Sequence, residues 1–294
     1  MIKQTLFFAS PVRLSLRYNQ LIIRKKDCDE IVSRPIEDIG CVVLENQMIS
    51  ATLPLLNELV KNNVAVVLCD AKMMPSSMLA PLEANTTQAE SFKHQLSATE
   101  PMRKQAWKQV VEAKIANQAA LLAKLGKECA GIKALAANVK SGDTDNREGA
   151  AARIYWSQLF GDGFRRDRYG DAPNDMLNYG YTILRAAVAR ALLGSGLMPA
   201  FGIFHRNRYN AFPLADDLMD PYRPYVDEIV HDQFTNGCSG ITQDFKLDVM
   251  RVLTCDVEIG NVVRPLQIAL TFTSASLCKY FAGKVKRLSL PIYK

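Results

Sequence analysis

The chain has 294 residues, 48% hydrophobic and 22% charged, with a formal net charge of +6 and a pI near 8.9. That composition describes a globular protein with room for one or two cores and excludes a disordered or fibrous chain. No run of about 18 apolar residues and no apolar N-terminal leader is present, so neither a transmembrane helix nor a signal peptide is expected.

The first ~70 residues carry strand patterns. QTLFFAS is short and apolar, VRLSLRY alternates, and NQLIIRK follows so closely that Tyr18-Asn19-Gln20 is expected to be a hairpin turn. GCVVLEN and VAVVLCD read as buried strands. Between them ISATLPLLNELVKNN switches to helical spacing, with Leu53, Leu56, Leu59 and Val60 on one face. From Ala71 to Ser97 the chain is rich in Pro, Ser, Met and Thr, the composition of a linker. Helical patterns then dominate. EPMRKQAWKQVVEAKIANQAALLAKLG is long and ends on a glycine signal. ECAGIKALAANVK is weaker. SGDTDNREGAAARIYWSQLFG starts on capping residues. NDMLNYGYTILRAAVARALLGSG, DDLMDPYRPYVDEIVHDQF and LQIALTFTSASLCKYF follow, and a basic tail (Lys279, Lys284, Lys286, Arg287) begins as the last helix ends. The expected architecture is α+β: a small β domain with one helix over residues 1–72, a linker over 73–97, and a larger α-helical domain over 98–294.

The seven cysteines are scattered, odd in number and without a C-x-x-C, which fits reduced thiols in a cytoplasmic protein. The basic balance shifts the odds slightly toward a polyanionic partner. No Walker-type loop, no G-x-G-x-x-G after a strand and no G-x-S-x-G is present, which argues against ATP, nicotinamide and serine-hydrolase chemistry.

One stretch stands apart, HRNRYNAFPLADDLMDPYRPYVD from His205. It sets an imidazole near Asp216, Asp217 and Asp220, and a separate helix carries Glu148. Carboxylate oxygens and imidazole nitrogen together are donors for Mg²⁺ or Mn²⁺ acting on phosphate. Each residue also has a plain structural reading: Glu148 a solvated helix glutamate, His205 a surface or core histidine, Asp216 and Asp217 an N-cap. Asp217 and Asp220 lie three apart on an expected helix, so they share a face and repel unless a cation neutralises them. Pro221 marks a kink there, and Arg223 and Asp227 are placed to support the acids. GDGFRRDRYGD, residues 161–171, offers Arg165, Arg166 and Arg168 either for a phosphodiester backbone or as a solvated charged loop. Arg206 and Arg208 flank His205. The aromatics of LNYGY are read as core, and His94 and His231 receive no site role.

The blocks WKQVVEAKIANQAALL, Glu148 with IYWSQLF, NDMLNYGYTILRAAVARALLGSGLMPAFGIFHR and LADDLMDPYRPYVD, in this order along the chain, resemble the CRISPR-associated protein 1 family. That family comprises the integrases and endonucleases of spacer acquisition, and the likeness is to the form found in type II systems. The resemblance implies an N-terminal β domain that dimerises, a helical catalytic domain, and metal ligands at Glu148, His205 and Asp220, with Asp217 as a second acid that ligates or assists. Many members carry glutamate where this chain has Asp220. It also implies Mg²⁺ or Mn²⁺ as cofactor and double-stranded DNA, both prespacer and CRISPR repeat, as substrate. The expected assembly is two homodimers bridged by a dimer of the small second adaptation protein, away from any membrane. The expected reaction is attack of a prespacer 3′-hydroxyl on a repeat-boundary phosphodiester, with Arg165, Arg166, Arg168, Arg206 and Arg208 on the DNA. The alternatives are a metal-dependent nuclease or phosphohydrolase that does not integrate, and a catalytically inactive DNA-binding scaffold.

Overall fold

The structure is a computed structural model that describes residues 3–25, 30–205 and 207–294. It divides into two compact units, with the boundary between Thr86 and Thr87.

Among its described residues the first unit contains two four-stranded sheets, one α-helix and a 3₁₀ turn at Ile36–Asp38. Strand β1 (Gln4–Phe8) pairs in parallel with β5 (Ile39–Leu44). Between them in sequence, β2 (Val12–Arg17), β3 (Gln20–Lys25) and β4 (Ile31–Pro35) form an antiparallel meander, joined by the short β6 (Ser50–Ala51). Tyr18 and Asn19 have φ of 49° and 58°, the left-handed pair of a two-residue hairpin, so the expected turn is present with Gln20 already in β3. Helix α1 (Leu53–Lys61) leads to β7 (Ala65–Cys69), which pairs with β5. Leu55 and Leu59, one turn apart, are the core-facing stripe of α1. Leu53, at the first helical position, is 74% exposed, so the expected face is rotated. Leu14, Leu21, Ile39, Val42 and Val66 meet these leucines in one apolar core.

The segment expected as a linker, residues 73–97, is mostly ordered structure. Strand β8 (Pro75–Leu79) closes the sheet edge antiparallel to β7, and Pro75 is tolerated because it opens an edge strand. Helix α2 (Gln88–Ser97) begins the second unit. Its anchor is polar: the buried Gln95 amide donates to the carbonyls of Met198 and Phe201 at 2.9 and 3.0 Å and accepts from the Met198 amide at 2.9 Å. A helix held by a glutamine shows no apolar stripe, which is why its pattern reads as linker.

The second unit is built around α3 (Glu100–Lys124), capped by Thr99. Its inward face carries Trp107, Val110, Val111, Ile115, Leu121 and Leu122, all at most 1% exposed. Helices α4 (Ala130–Ala136) and α5 (Arg147–Phe160) pack on it. The long α6 (Asn174–Gly194) crosses to α7 (Pro213–Met219) and α8 (Arg223–Thr235), with a 3₁₀ turn at Asp220–Tyr222 between the latter two. Pro221 and Pro224 account for that break. Helix α9 (Gln243–Met250) precedes a hairpin absent from the sequence reading, β9 (Asp256–Ile259) and β10 (Val262–Pro265), turned by Gly260 and Asn261 at positive φ. Helix α10 (Leu266–Phe281) ends the fold. The expected basic tail then doubles back, and Ile292 bridges to Glu258 of β9. No disulfide forms among the described cysteines, and Cys41 and Cys69 are buried. Among the described residues no helix is long and apolar enough to cross a membrane.

Candidate active site

Glu148 is the second residue of α5. Asn146 caps this helix by accepting from the Gly149 amide, and Asp143 accepts from the Arg147 and Glu148 amides at 2.8 and 3.0 Å. The capping residues expected from SGDTDN therefore fix the Glu148 backbone directly. The Glu148 side chain keeps 24% of its surface exposed, so it is neither a solvated surface glutamate nor sealed.

Asp220 opens the 3₁₀ turn and is 1% exposed. One carboxylate oxygen, Oδ1, accepts from Arg223 Nε at 2.6 Å, and the other, Oδ2, lies 3.0 Å from Lys114 Nζ. The same ammonium sits 2.5 Å from Glu148 Oε1. Burial works against the Asp220 carboxylate, but Lys114 and Arg223 outweigh it and hold its pKa below the usual carboxylate value. Burial equally works against the Lys114 ammonium, and Asp220 with Glu148 outweighs it and raises its pKa. Removing one partner from such a buried set costs about 3–5 kcal/mol, because the remaining charge is stranded. Lys114 was missed in the sequence. Its signal was a charge on the core-facing stripe of α3, between Val111 and Ile115.

His205 and Asp217 form a second, adjoining arrangement. The Asp217 side chain is fully buried. Its Oδ2 accepts from the Ile203 and Phe204 amides at 2.5 and 3.1 Å, and its Oδ1 from the His205 amide and His205 Nδ1 at 3.2 and 2.6 Å. Both oxygens are thus engaged in positioning the 203–205 backbone and the His205 ring, the assisting role expected of the second acid. The hydrogen bond to Asp217 raises the His205 pKa, against partial desolvation, and Asp220 and Glu148 add Coulombic pull. With Nδ1 engaged, Nε2 is the ring nitrogen left for a ligand, and the ring is held edge-on to Trp107 at 5.6 Å. Asp216 is not the N-cap of α7, a place taken by Phe212. It pairs instead with Arg185 of α6 at 2.8 Å and accepts from Asn210 at 2.6 Å.

Among the described residues no three His, Cys, Asp or Glu side chains already converge as a finished metal site. The donor chemistry nevertheless suits a divalent ion. Two carboxylates from different elements meet on a single cation, and a histidine tautomer is fixed by a carboxylate beside them.

The arginines separate by exposure. Arg166 is tied to Asn174 and Asn178 at 2.9 and 2.6 Å and lies over the Tyr181 ring, so it organises the 161–171 loop. Arg165 and Arg168 are exposed, as is Arg208, which stacks on Tyr209. Arg206 lies outside the described residues. A cleft of about 320 Å³ beside His205 is lined by Arg103, Phe201, Asn207, Arg208 and Asn210. Asp227 does not touch the acids. Its buried carboxylate accepts from Tyr155 and Tyr181, and burial raises its pKa to about 6. Leu177, Tyr179 and Tyr181 are core, as expected. His231 packs near Phe160, and His94 pairs with Glu90 on α2.

A family model described as "CRISPR associated protein Cas1" matches residues 6–256. The chain is 38% identical over 251 residues to a CRISPR-associated endonuclease Cas1 of Neisseria meningitidis, covering 84% of this chain and 82% of the relative. Among solved structures, a casposase bound to its integration product superposes with a TM-score of 0.81 at 21% identity, covering all of this chain and 95% of that one. A Cas1 protein from Thermotoga maritima superposes at 0.74 with 15% identity, covering 96% and 98%. The chain belongs to the Cas1 family of CRISPR-associated proteins.

Proposed function

We propose that this chain is the integrase of CRISPR adaptation, a metal-dependent enzyme that cuts and joins DNA strands. The observation that carries the proposal is the meeting of Glu148 and Asp220 on one cation beside a histidine fixed by Asp217. Its support from kinship is the 38% identity to a Cas1 endonuclease.

In this reading Glu148, Asp220 and His205, through Nε2, hold Mg²⁺ or Mn²⁺. The bound ion supplies Lewis-acid polarisation of a phosphodiester and acidifies an attacking hydroxyl. Asp217 keeps His205 in the tautomer that leaves Nε2 available. Arg223 holds Asp220 so that its other oxygen faces the site. The exposed Arg165, Arg168 and Arg208 bind backbone phosphates without reading sequence. The prespacer 3′-oxygen forms a new bond to phosphorus, the bond from phosphorus to the repeat strand's 3′-oxygen breaks, and that oxygen takes up a proton while the attacking hydroxyl releases one. A homodimer, with two dimers bridged by a dimer of Cas2, completes the proposed assembly, and a chain of a partial Cas6-RT-Cas1–Cas2 complex shares this fold.

The test is strand transfer with purified chain, Cas2, a labelled duplex bearing 3′-hydroxyl ends, and a supercoiled plasmid carrying a CRISPR repeat. Label joined covalently to relaxed plasmid, absent with EDTA, with His205→Ala and with Glu148→Ala, is the expected result. Cutting without joining would favour a nuclease that does not integrate. Binding with neither would favour a scaffold.

A further inference from the structure

Lys114 is the one member of the site that the metal reading leaves unused. It projects from the inward face of α3, its side chain is 11% exposed, and its ammonium contacts carboxylates from two other elements. Arg223 completes the group on the far oxygen of Asp220, so two cations balance two acids. Placing a divalent ion on the same oxygens would add two more positive charges within a few ångströms of the ammonium. In a half-buried site that repulsion is much larger than in water. The two cations therefore compete for Glu148 Oε1 and Asp220 Oδ2. Lys114 also has the means to leave. Its stem is long and unbranched, and the neighbouring Glu148 and His205 keep 24% and 40% of their side-chain surface open.

We propose that Lys114 is a tethered counterion that occupies the metal position in the metal-free enzyme and is displaced when the divalent cation binds. The proposal rests on the metal reading above. Lys114 keeps the buried Asp220 and the half-buried Glu148 together, so the site stays assembled without metal. The consequence is a metal affinity set lower than the donors alone would give. A lysine that merely supports the ligands from behind would have the opposite effect on removal, since its loss would leave affinity unchanged or weaker.

The experiment uses the full-length chain, stripped with EDTA and desalted, titrated with Mn²⁺ and followed by the electron paramagnetic resonance of the free ion. Wild type, Lys114→Met, Lys114→Gln and Glu148→Gln are compared, with melting curves run with and without Mn²⁺. Wild type is expected to bind Mn²⁺ at a site lost in Glu148→Gln. Lys114→Met is expected to bind at that site about tenfold more tightly, within the usual range of coupling between linked events. It should also melt lower than wild type without Mn²⁺ and gain more degrees on adding it. Lys114→Gln, which keeps hydrogen bonding without charge, guards against a folding defect in the methionine variant and should also bind more tightly than wild type. Equal or weaker Mn²⁺ binding in both lysine variants overturns the proposal while leaving the metal reading intact. Binding by the lysine variants alone supports it in its strongest form. Absence of Glu148-dependent binding in every variant overturns the metal reading, and the proposal with it.

Discussion

Replacing Asp217 by Asn tests whether one buried acid organises His205. The carboxylate accepts four hydrogen bonds, two on each oxygen, from the 203–205 backbone and the His205 ring. Asparagine keeps one oxygen. Turned so that its NH₂ takes the Oδ2 place, it strands the Ile203 and Phe204 N–H donors; turned the other way, it strands the His205 N–H and forces the His205 ring into the opposite tautomer to accept from the NH₂. Each stranded donor costs about 1–3 kcal/mol. Phe204 and His205 lie near solvent and recover part of this, so a loss of about 3 kcal/mol is expected. For a unit of this size that is a fall in melting temperature of roughly 6–12 °C. The same change removes the main cause of the raised His205 pKa. A histidine whose folded pKa is raised contributes stability that is full below its unfolded pKa and lost as pH rises through the folded value. Asp217→Asn should therefore move the His205 titration to lower pH and flatten that part of the stability profile. The chain has three histidines, so ring-proton NMR titration of metal-free protein resolves them individually. An unchanged His205 titration with a wild-type melting temperature would mean that Asp217 does not organise His205.

Other outcomes follow from neighbouring geometry. Asn117→Ala leaves the carbonyls of Pro221 and Pro291 and the amide of Tyr293 without their partner, so a loss of about 3 kcal/mol is expected by chemical denaturation; strand joining should fall with it, because the Pro221 carbonyl belongs to the Asp220 turn. Asp227, buried among Tyr155, Tyr181, Arg166 and Arg223, has its pKa raised from 3.8 to about 6, so its contribution is full below pH 3.8 and lost as pH rises through about 6. Relative to Asp227→Asn, wild type should lose on the order of 3 kcal/mol across that window; parallel stability profiles would contradict this. Gly180→Ala places a Cβ 2.4 Å from Val226 Cγ1 where α6 meets α8, and should destabilise by about 1–3 kcal/mol in thermal melts.

The residues that the structure brings together here stand out in the sequence because they are unusual there. Acids three residues apart before a proline, and a histidine in a basic loop, do not fit the apolar periodicity around them. Lys114 escaped because its helix was read only for its apolar positions, and a lysine inside that stripe passed as an irregularity. The division of labour between Asp217 and Asp220 depends on a backbone loop, 203–205, that folds back from outside their helix, and no local spacing encodes such a contact. Helix α2 was hidden for a related reason, since Gln95 holds it through backbone carbonyls at 198 and 201. Arg166 and Arg165 are adjacent and chemically identical, yet only the side chain of Arg166 reaches Asn174 and Asn178. The hairpin β9–β10 carries exposed Val262 and Val263 on its outer strand, which weakened its alternation.

In the proposed function Glu148, His205 and Asp220 are ligands of one divalent ion. Crystals of the chain grown with Mn²⁺ and measured at the manganese absorption edge test it most directly. One strong anomalous peak is expected within about 2.5 Å of Glu148 Oε1, Asp220 Oδ2 and His205 Nε2, with the Lys114 ammonium withdrawn from both carboxylates. A peak elsewhere, or none while Lys114 still bridges Glu148 and Asp220 at saturating Mn²⁺, would contradict it.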